Sequence, residues 1–248
     1  MRHSTQIKIP PAVLRSVTRV RYARGILLTG SQAMGRISKN SDWDFHIILP
    51  SGHKRWRKTW RVGKTWAEVF CNDKNEILKS FEEDYKSGRG VDIFMFSVGK
   101  IIKDDNRNTL LKLQRKALWL WQKGPKPLTR YDKQWIAYNI ATYMQDIEDT
   151  LYDNYKATLL VHHAIEELII YYYRLAHVWL PRPKDRLADF KKRQPDLARL
   201  TARALVSSNY IKKANLTIKF GGELARKFHL KLSGELYIPP VKAGRTAK

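Results

Sequence analysis

Cysteine is almost absent from this sequence of 248 residues, which contains only Cys71. An intrachain disulfide is therefore excluded, and so is a zinc site built from several cysteines. Long apolar runs are also absent, since none approaches the roughly 20 residues that a membrane-spanning helix needs. The first residues lack the apolar core of a signal peptide. We therefore expect a cytoplasmic protein that has no contact with a membrane.

Acidic residues are scarce, and none precedes Asp42. The chain has 47 Lys and Arg residues against 23 Asp and Glu residues, which gives a formal net charge of +24. Within the stretch 54–64, six basic residues are interleaved with Trp56 and Trp60, and Trp66 follows. Basic and aromatic side chains in one strip are typical of single-stranded nucleic-acid binding. The alternative is an ordinary, highly charged surface, because net charge says nothing about fold.

A Gly-Ser pair, Gly30 and Ser31, follows the apolar run 25–29 at a predicted strand-to-helix turn. Backbone amides at such a turn and at a helix N-terminus favour phosphate groups. We therefore expect the triphosphate of a nucleotide to lie over Gly30, Ser31 and Ser41, with Lys39 as a further phosphate-binding candidate. The simpler interpretation is a turn without a ligand.

Two carboxylates, Asp42 and Asp44, begin the next apolar segment, which ends at Leu49. Residues two apart on a strand point to the same face of the sheet. Such a pair of hard oxygen ligands can hold one or two divalent metal ions, for which we expect Mg²⁺. A solvated strand edge is the simpler alternative.

The order and separation of these two features are more informative than either feature alone. Gly30 lies twelve residues before Asp42, and Gly35 and Ser41 lie between them. The pattern Gly-Ser-x-Ala-x-Gly-x5-Ser-Asp-x-Asp resembles the signature of the polymerase-beta-like nucleotidyltransferase superfamily. It is similar above all to the small single-chain members, among them the aminoglycoside (kanamycin-type) nucleotidyltransferases. The resemblance covers residues 25–125 by motif and the remainder only by architecture.

Metal-assisted phosphoryl chemistry usually needs a third acidic ligand near the first pair. Two predicted strands offer one, Glu68 in Trp-Ala-Glu-Val-Phe and Asp92 in Val-Asp-Ile-Phe-Met-Phe. We favour Glu68 because it lies on the first strand candidate after the Asp pair. The resemblance also implies that an acid in an apolar-Glu-apolar strand lines the metal site. Asp92 is kept as the alternative third ligand.

The predicted architecture is α+β. It consists of a small mixed sheet flanked by helices over residues 1–125, then a helical bundle over 126–240 and a basic, disordered tail over 241–248. The basic segment 54–64 is predicted to form a hairpin or a loop with Gly63 at its turn, and Asp73 is predicted to cap a helix that runs to about Lys86. The segment Gly-Pro-Lys-Pro at 124–127 ends a later helix and marks the boundary. Apolar residues with helical spacing dominate the second part.

The helical part contributes candidates of its own. Lys184, after Trp-Leu-Pro-Arg-Pro, resembles a phosphate-binding lysine of related enzymes. The resemblance also implies that a general base for the acceptor hydroxyl comes from this part. No local motif separates the acidic candidates, which are Asp146, Glu148, Asp149, Glu166 and Glu167.

The resulting hypothesis is a nucleotidyltransferase that moves a nucleoside monophosphate from a nucleoside triphosphate to an acceptor hydroxyl and releases pyrophosphate. Asp42, Asp44 and Glu68 are its catalytic residues and the ligands of an expected two-metal Mg²⁺ site, with Asp42 and Asp44 bridging the two ions and Glu68 completing the acceptor-side ion. The acceptor is either a small molecule such as an aminoglycoside or the 3′ end of an RNA or tRNA. The alternatives are a non-catalytic or antitoxin-like nucleotide- or RNA-binding module on the same fold, and a plain nucleic-acid-binding protein. The oligomeric state stays open, with a dimer as one option.

Overall fold

The computed structural model describes residues 8–38 and 41–236, except for the side chain of Asn154. In this part of the chain, five strands and ten helices form two compact units with a boundary between Lys126 and Pro127. The first unit holds a mixed sheet with helices, and the second is helical. The predicted α+β class is therefore confirmed. The predicted tail at 241–248 and Lys39 lie outside the described residues.

The five described strands form one sheet in the order β3-β4-β2-β1-β5. The central strand β2 pairs with β4 in parallel and with β1 in antiparallel orientation, and the outer pairs β3·β4 and β1·β5 are antiparallel. The strands are β1 (Gly25–Thr29), β2 (Trp43–Leu49), β3 (Trp56–Val62), β4 (Thr65–Asp73) and β5 (Lys100–Lys103).

Ten helices accompany this sheet in the described ranges. The first unit contains α1 (Pro11–Thr18), α2 (Gly30–Ala33), α3 (Lys74–Ser87), α4 (Val91–Val98) and α5 (Thr109–Lys123). The second unit contains α6 (Arg130–Asp149), α7 (Asn154–Leu175), α8 (Pro183–Arg193), α9 (Pro195–Val206) and α10 (Tyr210–Lys227). No helix in the described residues is long and apolar enough to cross a membrane.

The two faces of β2 have different surroundings, because successive side chains of a strand point to opposite faces. One face is a core in which Phe45 and Ile47 pack with Val13 and Val17 of α1. The other face carries Asp44 and, two residues further along β2, the buried side chain of His46, which contacts Phe96 of α4. The rest of the first core comes from β1, β2, β4 and α2 and includes Ile26, Leu28, Ala33, Trp43, Leu49, Ala67, Val69 and Cys71.

The basic stretch after β2 forms an antiparallel hairpin, β3 and β4, that turns at Gly63 with a φ of 63°. The predicted choice between a hairpin and a loop is thus resolved. Strand β2 begins at Trp43, which pairs with Ala67. Residues 61–66 therefore extend past the start of β2 as a two-stranded ribbon, which we call the hairpin tip.

The strand predicted over 91–96 is wrong, because this segment is the helix α4. Gly90 precedes it with a φ of 61°, and Asp84 Oδ2 accepts hydrogen bonds from the amides of Asp92 (2.6 Å) and Ile93 (3.1 Å). These contacts satisfy amides that a helix start leaves without partners. Ile93 and Phe96, three residues apart, are buried. A short, uniformly apolar run does not distinguish strand from helix by its period, which explains the error.

The second unit has its own core, built around α7. Ile165, Leu168 and Tyr172 of α7 are buried together with Ile140 of α6 and Phe220 of α10. Helix α6 starts with a capping box in which Thr129 and Asp132 satisfy each other's backbone amides. This unit therefore has the hydrophobic core that a separate domain needs.

The predicted cap of α3, Asp73, is confirmed and generates the first prediction. Its buried carboxylate accepts hydrogen bonds from the amides of Asn75 (2.9 Å), Glu76 (3.0 Å) and Gly52 (3.1 Å). We expect Asp73→Ala to lower the free energy of unfolding by about 2 kcal/mol, since it removes the cap and leaves three partly buried amides without their acceptor.

Urea denaturation of the wild type and of Asp73→Ala measures this loss directly. Asp73→Asn keeps a side-chain oxygen acceptor and serves as the matched control, from which we expect a smaller loss. Equal stability of Asp73→Ala and the wild type would show that the cap contributes nothing.

Candidate active site

The candidate site lies on the face of the sheet opposite the first core, and the strand register assembles it. Asp44 of β2 lies between Glu68 of β4 and Thr29 of β1, its Cα partners on either side. Thr59 of β3 follows on the far side of Glu68. Side chains at one level of neighbouring strands point to the same face about 5 Å apart, so the Asp44 and Glu68 carboxylates are neighbours. The structure thus brings Glu68 next to Asp44, and the role of Glu68 as a third metal ligand stays a prediction.

The electrostatics of Asp44 reflect burial and crowding by like charges. Burial and, after it, the negative charges of Glu68 and Asp42 raise the pKa of Asp44 to about 6, while Arg57 opposes the shift. Asp42 immediately precedes β2 and is half-buried. Three acidic groups are thus close enough to repel one another, and a cation bound among them would relieve that repulsion.

Glu68 already has partners from the hairpin. Arg57 Nε donates to Glu68 Oε1, and Thr59 Oγ1 donates to the same oxygen at 3.1 Å. The Arg57 guanidinium also lies 4.8 Å from the centroid of the Phe70 ring. Sequence reasoning missed these contacts, although a turn at Gly63 places Thr59 directly opposite Glu68. The pairing of Thr59 with Glu68 across that turn was the signal in the sequence from which these contacts could have been predicted.

Gly30 is required by the close approach of a carboxylate. A Cβ atom built on Gly30 would lie 2.1 Å from Asp44 Oδ2, and the backbone φ of +69° is one that other residues rarely adopt. The chain therefore passes directly beside the Asp44 carboxylate as it leaves β1. Helix α2, which starts here, has four residues, so its dipole contributes little. Phosphate binding at Gly30 and Ser31 thus rests on local backbone amides and stays a prediction.

Ser41 shapes the loop between α2 and β2. Its Oγ accepts a hydrogen bond from the Ser38 amide at 2.8 Å and lies 3.1 Å from Ser38 Oγ. Its carbonyl oxygen accepts from Gln32 Nε2 at 3.4 Å. The structure gives Ser41 a local role, and its contact with a nucleotide stays a prediction.

The fit to a divalent cation is a matter of donor chemistry and charge. Asp42, Asp44 and Glu68 offer the oxygen ligands that Mg²⁺ prefers, and the negative charges of Glu68 and Asp42 add to burial in raising the pKa of Asp44. Within the described residues, no three acidic, His or Cys side chains stand in a ready-made metal geometry. Asp42 and Asp44 therefore fit as the primary pair. Glu68 fits as a third ligand, although its Oε1 already accepts hydrogen bonds from Arg57 and Thr59.

His46 is a further residue that sequence reasoning missed. It lies two residues after Asp44 on the same face, stacked on Phe70 (ring centroids 5.0 Å apart) and edge-on to Phe96 (4.9 Å). Burial lowers the pKa of His46 to about 4, against the opposing effect of Glu68. Its Nε2 has no hydrogen-bond partner among the described residues. His46 is thus a neutral, buried side chain that packs among aromatic rings next to the carboxylates.

Asp92, the alternative third ligand, belongs to a different environment. It lies on α4, where its pKa is raised to about 6 by burial and by the charge of Asp84, while a hydrogen bond with Ser80 opposes the shift. The strand on which the alternative depended does not exist. This correction leaves Glu68 as the acid that shares a face of the sheet with Asp44.

The predicted residues of the helical part lie in the second unit. Lys184 is exposed in the first turn of α8, and its phosphate contact stays a prediction. Glu166 pairs with Arg186 Nη1 at 2.9 Å, and the charge of Glu167 raises the pKa values of Tyr143 and Tyr171 in addition to their burial. The other acidic candidates lie exposed near the end of α6 and are Asp146, Glu148 and Asp149.

Comparison with known proteins supports the fold. The structure is similar to that of a nucleotidyltransferase-like protein from Exiguobacterium sibiricum, with a TM-score of 0.52 over 86% of this chain and 72% of the other. The two sequences are 13% identical. No family model matches the chain, and no curated protein sequence matches it. The likeness establishes a nucleotidyltransferase-like fold.

The contact between Gly30 and Asp44 generates a prediction with a matched control. Gly35 has almost the same φ, +68°, but a Cβ atom there would have no neighbour within 4 Å among the described residues. Gly35→Ala therefore measures the cost of the backbone conformation alone, about 1 kcal/mol. We expect Gly30→Ala to cost clearly more, because it adds a clash with the carboxylate.

Urea unfolding of both variants tests this expectation. A loss of stability that is equal in the two variants would show that the Asp44 carboxylate moves aside freely. In that case the close approach would impose no constraint on the site.

The raised pKa of Asp44 predicts a pH-dependent effect of removing its charge. The folded protein holds this proton to about pH 6, whereas the unfolded chain releases it near 3.8. The contribution of Asp44 to stability therefore falls as pH rises between these values. With EDTA present, we expect Asp44→Asn to gain stability over the wild type when the pH is raised from about 4 to about 8.

Thermal unfolding at both pH values measures the difference. Asp149→Asn, an exposed acid of α6, controls for the loss of one negative charge from a basic chain. We expect Mg²⁺ to stabilise the wild type at the higher pH and not Asp44→Asn. A difference between the two proteins that does not change with pH would contradict the assignment.

Proposed function

We propose that the protein is a metal-dependent nucleotidyltransferase that transfers a nucleoside monophosphate from a nucleoside triphosphate to an acceptor hydroxyl. The bond between the acceptor oxygen and the α-phosphorus forms, the bond from the α-phosphorus to the bridging β-phosphate oxygen breaks, and pyrophosphate leaves. The acceptor hydroxyl loses its proton to a base.

One observation carries this proposal. Asp44 lies between Glu68 on one neighbouring strand and the Gly30 turn on the other, and its carboxylate directly contacts that turn. The turn that we propose for phosphate binding is therefore adjacent to a cluster of mutually repelling carboxylates. The same motif carries the sequence resemblance, and the nucleotidyltransferase-like fold agrees with it.

Each residue then has a stated task. The backbone at Gly30 and Ser31 binds the triphosphate, with Ser41 and Lys39 as further contacts. Asp42 and Asp44 would hold Mg²⁺, with Glu68 as the third ligand. Bound Mg²⁺ supplies charge compensation for the phosphates and lowers the pKa of the acceptor hydroxyl. His46 and its aromatic neighbours keep water away from the inner side of the carboxylates.

The acceptor class is the finer part of the proposal. The resemblance to kanamycin-type enzymes favours a small molecule such as an aminoglycoside. The net charge of +24 favours an RNA 3′ end instead, because a cationic drug needs an acidic cleft. An acidic stretch at the end of α6, around Asp146 and Asp149, would suit a cationic acceptor.

A non-catalytic nucleotide- or RNA-binding module is the second candidate, and the contacts of Glu68 favour it. Arg57 neutralises this acid, and no ready-made set of three metal ligands exists within the described residues. Such a module would bind a nucleotide or RNA without turnover.

The test is transfer of label from each of the four α-³²P-labelled nucleoside triphosphates, in Mg²⁺, to total RNA and to an aminoglycoside panel. We expect label in one acceptor class and pyrophosphate release. In Asp42→Ala and Asp44→Ala we expect a loss of at least a hundredfold, because removing the metal ligands abolishes the charge compensation.

Glu83→Ala, which removes an exposed acid of α3, is the matched control and should retain activity. An active Asp44→Ala enzyme would contradict the assignment of the metal site. A folded wild type that binds nucleotide but releases no pyrophosphate would establish the binding module.

A further inference from the structure

The hairpin tip, residues 61–66, carries an exposed tryptophan beside the carboxylates. Trp66 lies two residues before Glu68 on β4, so both side chains point to the same face of the sheet. The Trp66 side chain is 48% exposed. By contrast, Trp60 points to the opposite face and packs against the first core. Of these two tryptophans, therefore, only Trp66 presents its ring on the side of the candidate site.

Cations accompany Trp66 on this face. Arg61 is its direct cross-strand partner, and Arg57 lies two steps further along the same face of β3. Both side chains are exposed, as is Lys64 in the turn. The stretch 54–64 contains six basic residues and no acidic residue. The tip therefore combines an aromatic ring with positive charge, which is the combination that single-stranded nucleic acid requires.

The position of the hairpin across the sheet indicates which substrate it contacts. The Gly30 turn, where the triphosphate is proposed to bind, lies on the β1 side of Asp44. Glu68 and the hairpin lie on the opposite, β4 side. A molecule on the tip therefore approaches Asp44 from the side away from the triphosphate, which is the side of the acceptor.

We propose that the acceptor is the 3′ end of a single-stranded polynucleotide, with one base stacked on Trp66 and its phosphates paired with Arg61 and Lys64. This inference rests on the proposed function. The terminal hydroxyl oxygen forms the bond with the α-phosphorus, its proton is released, and pyrophosphate leaves. Stacking accepts any base, so the tip selects single strands rather than a sequence.

Charge complementarity separates this acceptor from an aminoglycoside. A polycationic drug at the tip would be repelled by Arg57, Arg61 and Lys64. A polynucleotide would release counterions there, which makes its affinity depend on salt. The hairpin thus favours the polyanionic acceptor among the two classes.

Binding is measured separately from turnover. The probe is a 5′-fluorescein-labelled 12-nucleotide strand of mixed sequence, as RNA and as DNA, with fluorescence anisotropy as the readout and EDTA in the buffer. We expect Trp66→Ala to weaken binding about tenfold or more, and Trp66→Phe to retain most of it, because stacking needs an aromatic face. Trp119→Ala, which removes another exposed tryptophan, on α5, is the control that should not change affinity.

Salt dependence tests the phosphate contacts. We expect Arg61→Gln to reduce the slope of log affinity against log salt by about one, and Lys112→Gln on α5 to leave the slope unchanged. Comparison of the two strands identifies RNA or DNA as the source of the polynucleotide.

The outcomes separate the two proposals. A wild type that does not bind either strand, or equal affinity of Trp66→Ala and the wild type, overturns the docking site and leaves transfer to a small molecule intact. Loss of binding in Trp66→Ala together with loss of strand extension supports both proposals. Binding that depends on Trp66 without any pyrophosphate release supports the docking site and overturns the transferase.

Discussion

Repulsion among carboxylates on the central strands is the constraint around which this site is built. Asp44 is held between Glu68 and the Gly30 turn, with Asp42 two residues before it. Burial and these like charges raise the pKa of Asp44 to about 6, so its ionised form is costly in the folded protein. A fold gains nothing in stability from such a cluster. A cation bound among these carboxylates would relieve their repulsion.

The opposite face of the sheet supplies the stability that this cluster does not. Phe45 and Ile47, the neighbours of Asp44 and His46 along β2, pack with α1 in a continuous apolar core. Because side chains alternate along a strand, a shift of β2 by one residue would bury Asp44 and expose Phe45. The hydrophobic core therefore fixes the register, and the register fixes the separation of the acids. Positioning of the site is in this sense a consequence of ordinary core packing.

Much of the first unit could be predicted from its sequence, because its patterns are local. The apolar runs around Gly30 and Asp44 predicted β1 and β2, and Asp73 predicted the cap of α3. The wrong strand prediction over residues 91–96, which include Asp92, has a physical cause, since six apolar-rich residues fit a strand or a helix equally well. Their helical form depends on Asp84, a residue from the preceding helix that satisfies their first amides.

The contacts of Glu68 could not be predicted as easily, because they arise between strands. The sequence shows that Arg57 and Thr59 are near in number, but only the register at Gly63 places them on Glu68. The same register separates Trp66 from Trp60, which composition alone treats as equivalent. Long-range placement of this kind is decided by pairing and by which face is buried. The motif predicted which acidic residues form the candidate site, and strand pairing determines which side chains contact them.

The outer strands of the sheet have a consequence for how copies of the chain meet. Strand β3 carries Arg57, Lys58 and Arg61, and the short strand β5 begins and ends with Lys100 and Lys103. Exposed strand edges are templates for pairing with another chain, and lysine and arginine there discourage it. Two molecules that approach edge to edge therefore meet with like charge. The cations that would attract a polyanion also keep the sheet from growing into an aggregate.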